Sequence, residues 1–210
     1  MTKPSAGFWN RFAKRYAKSP VKDEAAYQEK LKITQSYLKP DMEIMEFGCG
    51  TGSTAIIHAP FVANILATDI SQNMLDIARG KAKSAKISNV TFQHADIEEF
   101  TYPDASFDAV LGMSILHLLV DKDAAIAKVF GLLKPGGVFV SSTVCIGDAG
   151  GLLRFVLPLG RAIGLLPLVR FFTPDELVAS LTDAGFTIDH RWQAGKGRDK
   201  VMFIVAKKPG

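Results

Sequence analysis

The 210-residue sequence predicts an α/β fold with a doubly wound, mostly parallel seven-stranded sheet that closes on an antiparallel hairpin. Three features predict it. β-rich runs alternate with amphipathic helical stretches from Glu43 to Thr143, a glycine-rich turn follows the first strand, and the last two β-rich runs are joined by too few residues for a crossover helix. The length suits one domain with a substantial core. Within it, residues 1–40 read as a helical cap, 43–145 as the ligand-binding core, 150–172 as an apolar insert, and 173–210 as a helix followed by the hairpin.

Each element has a local signature. Phe8, Trp9, Phe12 and Tyr16 recur at helical spacing among Arg11, Lys14, Arg15 and Lys18, which predicts a basic amphipathic helix over Phe8–Lys18. A polar helix over Glu24–Leu38 stops before Pro40. Glu43–Phe47 reads as a strand, Ser53–His58 as a helix start, Ile65–Asp69 as a strand and Asn73–Ala85 as an amphipathic helix. Val90–His94 and Asp108–Gly112 add strands, Asp121–Leu133 a helix, and Gly137–Thr143 a strand entered through Pro135-Gly136-Gly137. Thr173-Pro174-Asp175-Glu176 has an N-cap, a proline at the first helical position and two carboxylates facing the helix dipole, opening a helix that runs to Gly185. Thr187–Trp192 and Val201–Ala206, separated by Gly195-Lys196-Gly197-Arg198-Asp199, form the hairpin.

Bulk properties exclude several functional classes. Apolar residues at 48% and charged residues at 22% are ordinary for a globular protein, so wholesale disorder and fibrous architecture are not expected. A formal charge of +4 fits an anionic partner, but Lys and Arg are spread along the chain rather than blocked, so nucleic-acid binding is not expected. Cys49 and Cys145 stand far apart without Cys/His neighbours. Neither a disulfide framework nor a metal site follows, and a reducing cytoplasm is the expected location. The N-terminus lacks the apolar run and small-residue cleavage site of a secretory signal. Gly151–Phe172 is the most apolar stretch, yet Arg154, Pro158, Arg161, Pro167 and Arg170 interrupt it, which a membrane-spanning helix tolerates poorly.

The chemistry centres on Glu46-Phe47-Gly48-Cys49-Gly50-Thr51-Gly52. Glycines here permit a tight turn and close approach of a ligand, although such turns also join strands to helices for packing alone. A dinucleotide fingerprint requires glycines spaced G-x-G-x-x-G, and from Gly48 the third position is Ser53. Glu46 beside the loop is an awkward neighbour for a pyrophosphate and a suitable one for an ammonium group. Asp69 ends the second strand, where a carboxylate can accept from both hydroxyls of a ribose; its other assignment is N-cap of the following helix. Asp96 ends the third strand and can accept from an adenine amino group while Ile97 packs on the ring, or can serve as a turn carboxylate.

Taken with Ala67-Thr68-Asp69-Ile70-Ser71, His94-Ala95-Asp96-Ile97, Pro103-Asp104-Ala105-Ser106-Phe107-Asp108-Ala109-Val110 and Leu132-Leu133-Lys134-Pro135-Gly136-Gly137, this loop resembles the class I S-adenosylmethionine-dependent methyltransferases. The nearest resemblance is to methyltransferase type 11 proteins and the ubiquinone and menaquinone biosynthesis C-methyltransferases. It spans nearly the whole chain and implies a Rossmann-like fold, S-adenosyl-L-methionine as cofactor and S-adenosyl-L-homocysteine as product. By the same resemblance Glu46, Gly48, Cys49, Gly50 and Gly52 contact the methionine moiety, Asp69 the ribose, and Asp96 with Ile97 the adenine, with Ile70 also among the cofactor-binding residues. Met74 covers the ring, and Met113 and Ser114 line the pocket near the sulfonium.

Methyl transfer from a sulfonium is an in-line displacement, so the protein mainly aligns the nucleophile and excludes water. His117 is the candidate general base, with packing or helix capping as its alternative role. The expected acceptor is a small, hydrophobic or aromatic molecule entering over the carboxyl ends of the strands. Trp9, Tyr16, Arg154 and Phe155 are expected in a lid there. The insert over 150–172 admits three readings: a lid, a dimer contact, or a peripheral membrane helix. Both monomer and homodimer fit the sequence. A cofactor-binding sensor or assembly protein without transferase activity is the competing function, and an NAD(P)-binding oxidoreductase a further one.

Overall fold

The strands are β1 (Glu43–Phe47), β2 (Asn64–Asp69), β3 (Val90–His94), β4 (Phe107–Met113), β5 (Leu133–Cys145), β6 (Thr187–Ala194) and β7 (Lys200–Lys207). In the computed structural model, which describes residues 4–145, 147, 166–194 and 200–210, they form one sheet of order β3-β2-β1-β4-β5-β7-β6. Pairings from β3 through β5 are parallel, whereas β7 runs antiparallel to both β5 and β6. The chain builds outward from β1 to β2 and β3, then crosses back to place β4 on the other side of β1. That reversal opens a crevice at the carboxyl ends of β1 and β4, where open α/β sheets bind ligands.

Among the described residues six α-helices surround the sheet: α1 (Pro4–Lys18), α2 (Glu24–Ser36), α3 (Ser53–His58), α4 (Gln72–Ser84), α5 (Lys122–Leu132) and α6 (Pro174–Asp183). Side-chain caps set several starts. Asp23, Ser71 and Asp121 accept N–H groups of the first turns of α2, α4 and α5. Thr173 and Glu176 cap α6 reciprocally, at 3.1 and 2.7 Å. Because Ser71 caps α4, the alternative role of Asp69 as that cap does not hold.

Strand parity divides the core. Met45 and Phe47 of β1, Val110 of β4 and Phe139 of β5 point to the face covered by α5 and α6. Ile44, Leu111, Val138 and Val140 point to the opposite face, against α2 and α3. Glu46 shares the parity of Ile44, which directs its carboxylate towards α3 rather than into the aromatic layer.

Most boundaries differ from the sequence expectation by one or two residues, and two starts differ by four. α1 starts at Pro4 rather than Phe8, since proline is tolerated in a first helical turn. β5 starts at Leu133 rather than Gly137; its pairing jumps from Phe107↔Leu133 to Ala109↔Val138, so Pro135-Gly136-Gly137 forms an irregularity within the strand. Most of the 150–172 insert, including Arg154 and Phe155, and the Gly195–Asp199 hairpin joint lie outside the described residues. Among the described residues no helix is long and apolar enough to cross a membrane.

His58, at the end of α3, is fully buried, and neither ring nitrogen has a hydrogen-bond partner among the described residues. Burial pushes its pKa down to about 4. An unfolded histidine takes up its proton near pH 6.5, so the stability linked to His58 is complete above 6.5 and lost as pH falls towards 4, by about 3 kcal/mol in all. His117 is shifted in the same direction to about 4, also by burial. His58→Leu is therefore expected to flatten, though not erase, the loss of urea resistance between pH 6.5 and 4. An unchanged slope in the variant would assign the pH dependence to other groups.

Candidate active site

The turn from β1 into α3 is glycine-dependent for two separate reasons. Gly48, Gly50 and Gly52 all have left-handed φ values of 63°, 53° and 72°, which other residues adopt at a cost of about 1 kcal/mol or more. At Gly48 a Cβ would also lie 2.6 Å from the Ile115 side chain, and at Gly52 2.7 Å from Ala78. Gly50 is open: its nearest neighbour in that direction is the Tyr16 ring, at 3.9 Å. The outer glycines therefore serve packing, and the middle one leaves room for a ligand.

Asp69 braces this turn. One carboxylate oxygen accepts the Gly50 N–H and the other the Ser71 N–H, each at 2.8 Å. Each oxygen keeps a lone pair for a further donor. Burial raises the Asp69 pKa, and the Ser71 and Gly50 amides oppose that rise.

Glu46 lies behind the turn, 2% exposed. It accepts from the Ala55 backbone, while its Oε2 has no partner among the described residues. Burial first, then the Asp69 charge, pushes its pKa up to about 8. A buried carboxylate with one unsatisfied oxygen needs a cationic donor. An amino-acid ammonium fits that need, whereas a pyrophosphate would add repulsion.

Gly48, Gly50, Asp69, Ile70, Met74, Asp96, Ile97, Met113 and Ser114 line one cleft of about 900 Å³, including its open mouth. Trp9 and Tyr16 of α1 roof it. Asn10 docks this roof by accepting from the Ser71 hydroxyl at 2.8 Å and the Asn73 N–H at 3.2 Å. Glu46, Cys49 and Gly52 lie outside the lining: Cys49 is buried in the core on the α2 and α3 face, and Gly52 N-caps α3.

Sequence reasoning missed two supports of the site. Lys128 of α5 donates to the carbonyls of Ile97, Glu98 and Phe100 at 2.9, 2.9 and 3.0 Å, pinning the loop that carries Asp96. Tyr27 of α2 lies beside Thr54, and burial first, then the Glu46 charge, raises its pKa, which places it near the back of the turn. A lone Lys on a helix and a Tyr on a polar helix carry no motif, so only the fold could reveal them.

Ser114 adopts φ 58° at the end of β4, uncommon for a residue with a side chain. Its N–H donates to the Ser142 carbonyl at 2.6 Å, which holds the strained turn in place. His117 is outside the cleft lining, with Nδ1 at 2.9 Å from the Thr143 hydroxyl. Arg170 ties the described end of the insert to this wall through the His117 and Val120 carbonyls, both at 2.7 Å.

A switch-point crevice floored by a glycine turn, with carboxylates behind the turn and at the ends of the second and third strands, defines the class of α/β proteins with a nucleoside-type ligand site. A family model described as a methyltransferase domain matches residues 38–194, and the chain belongs to that family. The ubiquinone/menaquinone biosynthesis C-methyltransferase UbiE of Vibrio cholerae is 33% identical over 109 residues, covering 50% of this chain and 42% of that enzyme. The chain thus matches less than half the length of this relative. Among solved structures, YcgJ of Bacillus subtilis has a TM-score of 0.72 at 18% identity, over 87% of this chain and 99% of that one. Phosphoethanolamine N-methyltransferase 2 of Haemonchus contortus, in complex with S-adenosyl-L-methionine, has a TM-score of 0.72 at 19% identity, over 88% and 53%. At these identities the structural likeness concerns the fold.

Proposed function

We propose that the chain binds S-adenosyl-L-methionine in this cleft and transfers its methyl group to a small hydrophobic or aromatic acceptor, leaving S-adenosyl-L-homocysteine. The observation that carries this reading is the buried, half-satisfied Glu46 carboxylate behind the open Gly50, with Asp69 one strand away. Glu46 takes the ammonium end, Asp69 the ribose hydroxyls, and Asp96 with Ile97 the adenine, on a loop that Lys128 holds still. When bound, the cofactor supplies an electrophilic methyl carbon on a positively charged sulfur.

The chain's own residues then do three things. Met113 and Ser114 set the floor on the acceptor side, Phe47, Ile115 and Leu119 exclude water, and Trp9 and Tyr16 cover the ligand. His117 is neutral at pH 7 because burial lowers its pKa, and because it lies outside the cleft lining with Nδ1 engaged by Thr143, its part is to pack the wall rather than to act as general base. The UbiE relatives support a carbon acceptor in a quinone-like ring. Titration calorimetry with adenosylmethionine and with NAD tests the cofactor: selective binding of adenosylmethionine supports the proposal, and preference for NAD overturns it. Formation of adenosylhomocysteine with a fractionated lipid and metabolite extract separates a transferase from a silent binder.

A further inference from the structure

α1 has three faces, each with different chemistry. With about 3.6 residues per turn, Ala6, Asn10, Ala13 and Ala17 share one face, and the buried Ala6 and Ala13 with the bonded Asn10 dock it beside α4. Ser5, Trp9 and Tyr16 share a second face and line the cleft. Arg11, Lys14, Arg15 and Lys18 share the third and are all exposed. The helix contains no acidic residue.

The seam between the basic and cleft faces is aromatic. Phe8 and Phe12 stack with ring centroids 5.1 Å apart, and the Arg15 guanidinium lies 5.4 Å above Phe12. Tyr16 is 47% exposed although it lines the cleft. Val120, also in the lining, is 52% exposed, and the exposed Arg170 is bonded to its carbonyl. The cleft mouth therefore carries exposed apolar side chains with cations on both sides. Carboxylates near Val120 are turned to backbone amides: Asp121 caps α5, and Glu98 accepts the Asp121 N–H at 2.9 Å.

We propose that the outer face of α1 and the Val120 rim form a docking surface for an anionic lipid bilayer, seating the protein with its cleft mouth against the membrane. A straight row of cations about 10 Å long, from Arg11 to Lys18, beside an apolar rim matches a flat charged interface whose interior is oily. A nucleic-acid backbone would use the cations and leave Tyr16 and Val120 in water. The surface delivers an apolar acceptor to the cleft without passage through solvent, and to that extent it rests on the function proposed above. It differs from the peripheral membrane helix that is one of the three readings of 150–172.

Flotation with phosphatidylcholine vesicles, with and without phosphatidylglycerol, tests the proposal directly. The protein should partition onto the anionic vesicles only, and be released by roughly 0.5 M salt, where screening shortens to about 4 Å. The triple variant Lys14→Glu, Arg15→Glu, Lys18→Glu should lower partitioning about a hundredfold or more while leaving the melting temperature and adenosylmethionine affinity unchanged. Val120→Asp should weaken partitioning with the basic face intact. Equal binding to neutral vesicles, absence of binding, or a triple variant that still partitions overturns the proposal, as does displacement from vesicles by duplex DNA at equal phosphate. An adenosylmethionine titration on the same samples keeps the two readings apart: bound cofactor without vesicle binding sinks only the docking surface, and vesicle binding without cofactor sinks only the transferase.

Discussion

Glu46→Gln is expected to lower adenosylmethionine affinity about thirtyfold or more and, in the same protein, to raise the melting temperature without ligand. The first effect follows from removing one partner of a buried ion pair, which costs roughly 2 to 5 kcal/mol. The second follows from the Glu46 pKa of about 8, against an ordinary 4.5. A raised folded pKa means that the linked stability is complete below 4.5 and is lost as pH rises through 8, by roughly 3 kcal/mol at pH 7. Glutamine cannot ionise, so the variant escapes that loss. Melting temperatures should converge near pH 4.5 and diverge most above pH 8. The histidine effect works in the opposite sense below 6.5, so the window from 6.5 to 8 isolates Glu46.

The same shift gives binding a proton signature. At pH 7 most free protein holds Glu46 protonated, and an ammonium group favours the carboxylate, so binding releases close to one proton. Affinity should climb with pH up to about 8, and the calorimetric enthalpy should depend on the ionisation heat of the buffer. Buffer-independent enthalpy in wild type, or a Glu46→Gln variant with unchanged affinity, would remove Glu46 from the ligand site.

Asp69→Ala should weaken cofactor binding by about 1 to 3 kcal/mol through lost charged hydrogen bonds, and should also lower stability without ligand, because the Gly50 and Ser71 amides lose their acceptor. Asp69→Asn, which keeps one acceptor oxygen, should fall between the two. Denaturant midpoints measured with and without adenosylmethionine separate these effects. A folded Asp69→Ala protein of reduced stability but normal affinity would make Asp69 a brace of the turn and nothing more.

Much of this site was legible from local pattern. Strand periodicity, the glycine turn and the carboxylates at the ends of β2 and β3 are written over short stretches, and Gly48, Gly50, Asp69, Ile70, Met74, Asp96, Ile97, Met113 and Ser114 do meet in one cleft. The capping residues of α6 were equally readable, because a capping box acts within one turn. Long-range relations were not readable. That Lys128 grips three carbonyls about thirty residues away, that α1 presents three different faces, and that His117 turns to Thr143 all depend on which elements pack together.

The Glu46 to Gly52 turn shows the division most clearly. Its composition and spacing by themselves determined a tight, ligand-approachable loop with a carboxylate beside it, since those follow from missing side chains and chain order. Only the tertiary structure decided that Gly48 and Gly52 are required by Ile115 and Ala78, that Gly50 alone stays open, and that Glu46 lies buried with an oxygen unsatisfied. Burial and partnership come from residues remote in sequence, and they convert an ordinary glutamate into a group poised to take up a cation.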